Sequence, residues 1–342
     1  HMLRFNCDYL EGCHPAILDA LVQTNMEQTT GYGLDPHCEH AAQLVRDLFH
    51  CPKAAVHFLV GGTQTNTTVI SAALRPWEGV LSADTGHINV HETGAIEATG
   101  HKVIPLHGKG GRISAPQVAV ACALQGDDEH IVKPGMVYIS FPTEVGTLYN
   151  LAQLKDLYLT CHQLGLYLFI DGARLGYGLS SPINDVTPEE LARYCDVFTV
   201  GGTKVGALFG EAVVITNPEL QPHFRYMIKQ KGGMLAKGRL LGIQFETLLS
   251  ENRYLSIAER AVLQAMRIRQ ALLDKGIPFY VDSPTNQLFP IFTDTQSDTL
   301  SESFDFATWE RLDESRAAYR ICTSWATTDE AVEQLIHAIK HL

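Results

Sequence analysis

With 342 residues, 45% hydrophobic and 19% charged, the chain has the makings of a packed globule larger than one ordinary domain, which excludes an intrinsically disordered protein. Its 26 Lys and Arg against 38 Asp and Glu leave a formal net charge of -12, and an acidic surface repels phosphate backbones, so nucleic-acid binding is disfavoured. No stretch reaches the ~18 uncharged apolar residues of a membrane helix, and the first residues lack the basic and apolar segments of a secretion signal. The eight cysteines are scattered with no C-x-x-C pair, so zinc and redox motifs are not signalled and a reducing cytoplasm is expected.

Taken in chain order, Asp35-Pro36 reads as a cap and first-turn proline for a helix whose apolar face is Ala41, Leu44, Val45 and Leu48. A short strand over residues 57–60 runs directly into Gly61-Gly62-Thr63. Val137, Tyr138 and Ile139 read as a buried strand. Leu154, Leu157, Tyr158 and Cys161 follow helical spacing, with Asn150 as cap and Gly165 as stop. Residues 166–170 are a continuous apolar run of strand length, followed by a helix over 188–193 and a strand over 197–200. This alternation predicts an α/β fold whose large domain holds a mostly parallel sheet covered by helices. Residues 238–275 read as largely helical. Short strands at 279–281, 288–292 and 319–323 and a final helix from about Asp329 then predict a smaller α+β domain. The expected division is a large domain over 20–245 and a small one over 246–342, joined by an N-terminal arm, 3–19.

Three strand ends carry groups with chemical potential, and ligands of open parallel sheets sit at such carboxyl ends. Gly61-Gly62-Thr63-Gln64-Thr65-Asn66 lies between a strand and an apolar helix. It is either a plain strand-to-helix turn or an anion cradle made of helix N–H groups. It lacks both G-x-G-x-x-G and a P-loop lysine, so dinucleotides and nucleoside triphosphates are not indicated. Asp171 closes the run at 166–170 in Asp171-Gly172-Ala173-Arg174. A buried acid needs a cation or hydrogen bonds, so it either pairs with Arg174 or waits for a protonated ring nitrogen. Thr203-Lys204 follows Gly201-Gly202, and Lys204 is either a solvated loop lysine or an amine nucleophile with a lowered pKa. One helix and one strand fit between Asp171 and Lys204, which places both at the same end of one sheet. An anion cradle, a buried acid and an amine together are what pyridoxal 5'-phosphate requires. His87 and His91, with Glu92, lack a third metal ligand at a fixed spacing, so no metal site is expected. His87 is either structural or stacked on a cofactor ring.

These segments resemble the low-specificity threonine aldolases, within the wider pyridoxal-phosphate β-eliminating lyases. The likeness is carried by Gly31-Tyr32-Gly33-Leu34-Asp35-Pro36, the 61–66 segment, His87 to Glu92 with Gly94-Ala95, Asp171-Gly172-Ala173-Arg174, Thr203-Lys204 and Gly232-Gly233-Met234. The resemblance implies an aspartate-aminotransferase-type fold, a homodimer or homotetramer with active sites at the subunit interface, and a small amino acid as substrate. It implies that Lys204 forms the Schiff base, that Asp171 partners the ring nitrogen, and that Gly62, Thr63 and Thr203 bind phosphate. His87 then stacks on the ring and is the candidate base, and Arg174 and Arg320 grip the substrate carboxylate. The chain departs from the family pattern at Cys7, which replaces a serine, at Lys231 before Gly232-Gly233, at Leu235, and in Phe141-Pro142-Thr143-Glu144. The expected reaction is retro-aldol cleavage of threonine or allo-threonine to glycine and an aldehyde. β-Elimination or transamination on the same cofactor, and a cofactor-binding protein without turnover, are the alternatives.

Overall fold

The computed structural model describes residues 2–342. Its chain starts as an extended arm in which Leu3–Arg4 (β1) pairs in parallel with residues 304 and 305, near the other end of the sequence. Pro15–Thr24 (α1) and Pro36–Leu48 (α2) follow. The Asp35 carboxylate accepts from the Cys38 N–H at 2.9 Å, and Pro36 sits where the helix has no use for a donor, which fixes the start of α2.

Seven strands come next: Ala55–Leu59 (β2), Glu78–Ala83 (β3), Val103–Leu106 (β4), Lys133–Ser140 (β5), Tyr167–Asp171 (β6), Val197–Gly201 (β7) and Glu211–Ile215 (β8). They form one sheet in the order β2-β8-β7-β6-β5-β3-β4. Strands β3 to β7 are parallel, whereas β8 runs antiparallel to both of its neighbours, β2 and β7. Leu168 and Ile170 enter one apolar cluster and Phe169 enters another on the opposite face. A strand buried on both faces must read as an unbroken apolar run, as residues 166–170 do.

The sheet is covered by Gly62–Ala73 (α3), His87–Val90 (α4), Ala115–Gln125 (α5), Leu151–Gln163 (α6), Leu175–Leu179 (α7), Pro188–Arg193 (α8), Phe224–Gln230 (α9) and Arg239–Leu249 (α10). Asn150 with Gln153 starts α6, and Thr187 with Glu190 starts α8, each through a reciprocal capping box. Gly165 takes φ +71 just past α6, the left-handed conformation that ends a helix most cheaply in glycine.

The helical stretch expected over 238–275 is two helices. Glu251 and Asn252 both take positive φ, 56 and 55, and this turns the chain between α10 and Arg253–Asp274 (α11). The break lets α10 lie on α1 and α2 while α11 leaves at a new angle. Tyr254, Ala258 and Val262 at the start of α11 pack into the core beneath the large sheet. Ile268 and Leu272 further along it join Phe5, Leu288, Phe292, Val332 and Leu335 in a second core. That core is completed by Phe279–Val281 (β9), Gln287–Thr293 (β10), Asp294–Ser301 (α12), Phe304–Asp305 (β11), Ala307–Arg311 (β12), Arg316–Cys322 (β13) and Asp329–Lys340 (α13). Four of these strands form an antiparallel sheet in the order β12-β13-β10-β9. Among the described residues no helix is long and apolar enough to cross a membrane, and all eight cysteines are unpaired.

Candidate active site

The carboxyl end of the large sheet is where the chemistry gathers. Strand β6 ends at Asp171, in register with Ser140 at the end of β5. A Cβ on Gly172 would lie 2.0 Å from the Thr199 carbonyl oxygen, so only glycine lets the chain leave the sheet here. The Asp171 carboxylate is buried. Its Oδ2 accepts from the Tyr138 hydroxyl at 2.5 Å and from Asn66 Nδ2 at 3.3 Å, and its Oδ1 accepts from the Ala173 N–H at 2.9 Å. The ion pair with Arg174 that the sequence left open is not formed. Asp171 is therefore a buried carboxylate held by neutral donors, its charge available to a cation.

Lys204 follows the Gly201-Gly202 bend after β7 and lines both cavities that meet at this sheet end. It is partly buried rather than a solvated loop lysine. Burial pulls its ammonium pKa below the usual lysine value and the nearby Arg174 guanidinium adds to this, against the opposing charges of Asp8, Glu211 and Asp171. Its Nζ lies 6.0 Å from the centre of the Tyr9 ring, contributed by the arm. Glu211 opens β8, opposite Gly201, and accepts from the Gly202 N–H at 3.2 Å. Burial pushes the Glu211 carboxyl up to about 7, only partly offset by Lys204. Thr203 is tied down locally, its hydroxyl accepting from the Gly210 N–H at 3.1 Å.

His87 begins the single turn of α4. Its Nδ1 lies 2.8 Å from Glu92 Oε1, and the same oxygen accepts from Asn66 Nδ2 at 2.8 Å. Asn66 thus joins two carboxylates, Glu92 and Asp171, in one buried chain of bonds that runs from His87 to Tyr138. Burial alone would lower the His87 pKa, but the Glu92 hydrogen bond and the charges of Asp171 and Glu92 outweigh it, and the imidazole titrates above its ordinary value. Glu92→Gln removes the charge and the anionic acceptor, so the His87 ring signals in an NMR titration are expected to move to lower pH. An unchanged titration would break the link between the two residues. His91 lies outside α4 with its ring centre 5.5 Å from that of His87. Among the described residues no three His, Cys, Asp or Glu side chains are placed to hold a metal ion.

Helix α3 begins at Gly62 with no side-chain cap, which leaves its first N–H groups without a partner from a capping side chain. A Cβ at Gly61 or Gly62 would meet nothing within 4 Å, so the turn is an open cradle floored by backbone donors. Gly62 lines the inner cavity with Asp171, His87 and Lys204. Thr63 is exposed on the first turn of α3 and lines neither cavity.

The two arginines lie on the outer cavity of about 730 Å³, together with His87, Thr203, Lys204 and Trp309. Arg174 Nε and Nη2 donate to Asp8 Oδ2 and Oδ1 at 2.6 and 3.0 Å. Asp8 is itself buried and also accepts from Asn286 Nδ2 at 3.0 Å. Burial would raise the Asp8 pKa, but Arg174 prevails and holds it below the usual carboxylate range. Arg320 donates to the Asn6 carbonyl at 2.9 Å and sits 5.9 Å from the Trp309 ring centre, and its buried Nε has no partner among the described residues. Asp8→Asn is expected to cost about 3 kcal/mol of stability by stranding a buried guanidinium, and to raise KM for any carboxylate substrate as Arg174 loses its brace. A denaturation curve and a substrate titration measure the two effects.

Sequence reading placed the main groups but missed their supports. Asp8 directly follows the departure at Cys7, and nothing local marks it as the partner of a residue 166 positions away. Glu92, Asn66 and Tyr138 stood inside segments already singled out, but their bonds to His87 and Asp171 depend on strand register. Glu211 had no signal except an acidic residue opening an otherwise apolar strand.

The sequence model of the beta-eliminating lyase family matches residues 5–318. The chain belongs to that family. Two curated members are 29% identical to it: the low specificity L-threonine aldolase of Pseudomonas aeruginosa, over 99% of this chain and 98% of the relative, and that of a Pseudomonas species, over 98% and 97%. The solved structure of Leishmania major threonine aldolase superposes with a TM-score of 0.97 at 45% identity, covering 99% of each chain. Thermus thermophilus aspartate aminotransferase, at 12% identity and a TM-score of 0.72 over 99% of this chain and 91% of its own, shares the fold. The expected α/β architecture, a mostly parallel helix-covered sheet of the aspartate-aminotransferase type with a second antiparallel sheet, is the one observed.

Proposed function

We propose that the protein is a pyridoxal-phosphate-dependent aldehyde-lyase that cleaves a β-hydroxy-α-amino acid, threonine or allo-threonine, to glycine and an aldehyde. The observation that carries the reading is the convergence of Lys204, Asp171, the Gly62 turn and His87 on one inner cavity, with Arg174 and Arg320 at its mouth. Full-length relatives named threonine aldolase support it.

The donor set fits the cofactor. The open turn at Gly61 and Gly62 offers helix N–H groups to a phosphate. Asp171, held only by neutral donors, is suited to a protonated ring nitrogen. Lys204 has the lowered pKa an amine nucleophile needs. When bound, pyridoxal phosphate supplies an aldehyde that takes up amines and a protonated heterocycle that draws electrons from the substrate Cα. The protein's residues do the rest. Arg174, braced by Asp8, and Arg320, beside Trp309 on the outer cavity, bind the substrate carboxylate, and this orients the remaining bonds at Cα. His87, its Nδ1 held by Glu92, presents a ring fixed in one orientation. Thr203 anchors the turn that carries Lys204, and Thr63 belongs to the exposed rim of the phosphate turn.

Activity is proposed to reside in a cytoplasmic homodimer or homotetramer whose sites are completed at the subunit interface. Eight unpaired cysteines support the compartment. Leu18, Val22 and Met26, exposed by 51, 78 and 86% on and just after α1, support a covered apolar face.

Incubating the pyridoxal-phosphate-loaded protein with L-threonine and L-allo-threonine tests the reading. Glycine and acetaldehyde in equal amounts are expected. Pyruvate from serine or cysteine with no acetaldehyde from either threonine would replace it by β-elimination.

A further inference from the structure

Glu144 stands in the loop that follows β5, and Ser140 at the end of that strand is in register with Asp171. It lines both the inner cavity, with Asp171 and Lys204, and the outer one, with Tyr9, His91 and Arg320. Its Oε1 accepts from the Ser140 hydroxyl at 2.5 Å and from the His87 backbone N–H at 2.9 Å, so both bonds fall on one oxygen. The loop is itself braced. Thr143 and Thr147 hydroxyls lie 2.5 Å apart, and the Gly146 N–H donates to the Thr143 carbonyl at 2.9 Å. Glu144 is thus a carboxylate presented on a rigid turn, facing a cavity and paired with no cation among the described residues.

We propose that Glu144 is the catalytic acid–base group that accepts the β-hydroxyl proton of the substrate, an assignment that rests on the aldol-cleavage reading above. The site has two polar ends. A substrate carboxylate belongs with Arg174 and Arg320 and is repelled by Glu144. A hydroxyl, by contrast, is a donor for the second carboxylate oxygen of Glu144, since both protein donors fall on Oε1. His87 has its Nδ1 committed to Glu92, whereas Glu144 keeps Oε2 for a substrate donor. Burial raises the Glu144 pKa above that of an ordinary glutamate, which brings its basicity closer to working pH. In the step, the hydroxyl hydrogen passes to Glu144. The former O–H electron pair becomes the second bond of the aldehyde carbonyl. The Cα–Cβ bond breaks with its pair left on Cα, a proton drawn from solvent is added there to give glycine, and Glu144 returns its own proton to solvent, so that no net proton is gained or lost.

The experiment compares two substrates on the loaded enzyme. L-Threonine needs the hydroxyl proton removed, whereas exchange of the glycine α-proton in D2O, followed by NMR, does not. Glu144→Gln is expected to slow threonine cleavage by about 10²–10³-fold. Glycine exchange and glycine affinity, measured by calorimetric titration, are expected to stay close to wild type. Equal losses in cleavage and exchange would make Glu144 a structural residue, and undiminished cleavage would remove it from the chemistry; either result overturns the assignment. If Glu144→Gln does not fold, Glu144→Asp carries the same comparison, since it keeps the charge but withdraws it by one methylene. A wild-type protein that exchanges glycine but cleaves neither threonine epimer defeats the aldol reading first, and the assignment with it, a pattern distinct from any shown by the variant alone.

Discussion

Replacing Lys204 by alanine is expected to abolish cleavage, with a loss on the order of 10⁴-fold or more, as for removal of a covalent nucleophile. The size follows from the lack of a substitute. Lys204 is the lysine that lines the two cavities at the carboxyl end of the sheet, and the partial burial that lowers its pKa prepares it to act as an amine. The substitution should not unfold the protein, because it deletes a cation whose burial is unfavourable. Binding of pyridoxal phosphate should weaken but persist, since the Gly62 turn and Asp171 remain. Steady-state cleavage, a melting curve and equilibrium dialysis with the cofactor read the three effects. Residual activity within tenfold of wild type would contradict the role given to Lys204.

Asp171→Asn is expected to lower the rate by about 10²–10³-fold, the scale of removing one preorganised electrostatic group from a reacting centre. The amide keeps the shape and its oxygen can still accept from the Tyr138 hydroxyl, while its NH2 then faces the Ala173 N–H, so the loss combines the charge with that one bond. The effect should fall on kcat more than on KM, because the substrate carboxylate is held elsewhere, by Arg174 and Arg320. Tyr138→Phe supplies a graded companion: it removes one hydrogen bond to a charged group, about 1.5–3 kcal/mol, and leaves the carboxylate in place. A smaller loss for Asp171→Asn than for Tyr138→Phe would show that the charge is not what the site uses.

The groups legible in the sequence share one property: each sits where a strand ends and a turn begins. Asp171 closes an unbroken apolar run, Lys204 follows paired glycines, and Gly62 separates a strand from a helix, so local pattern was enough to place them at one sheet edge. The supports were illegible because they arrive from elsewhere. Asp8 reaches Arg174 only because the arm is carried across to the second core by β1 and Phe5. Asn66 meets Asp171 only because α3 returns over the sheet. Glu144 belongs to a segment that departs from the family pattern, but its bond to the His87 N–H needs the loop after β5 to fold against α4. The stretch over 238–275 is largely helical as expected, and the turn within it at Glu251 and Asn252, where α10 packs on α2 and α11 runs along both cores, is a change of direction that the apolar spacing does not record.

Borohydride reduction of the pyridoxal-phosphate-loaded protein, followed by peptide mass mapping, tests the cofactor assignment most directly. The expected result is a yellow protein that bleaches on reduction and carries a single phosphopyridoxyl group on Lys204. A colourless protein that takes up no cofactor, or a label on Lys231 or another lysine with Lys204 unmodified, would contradict it.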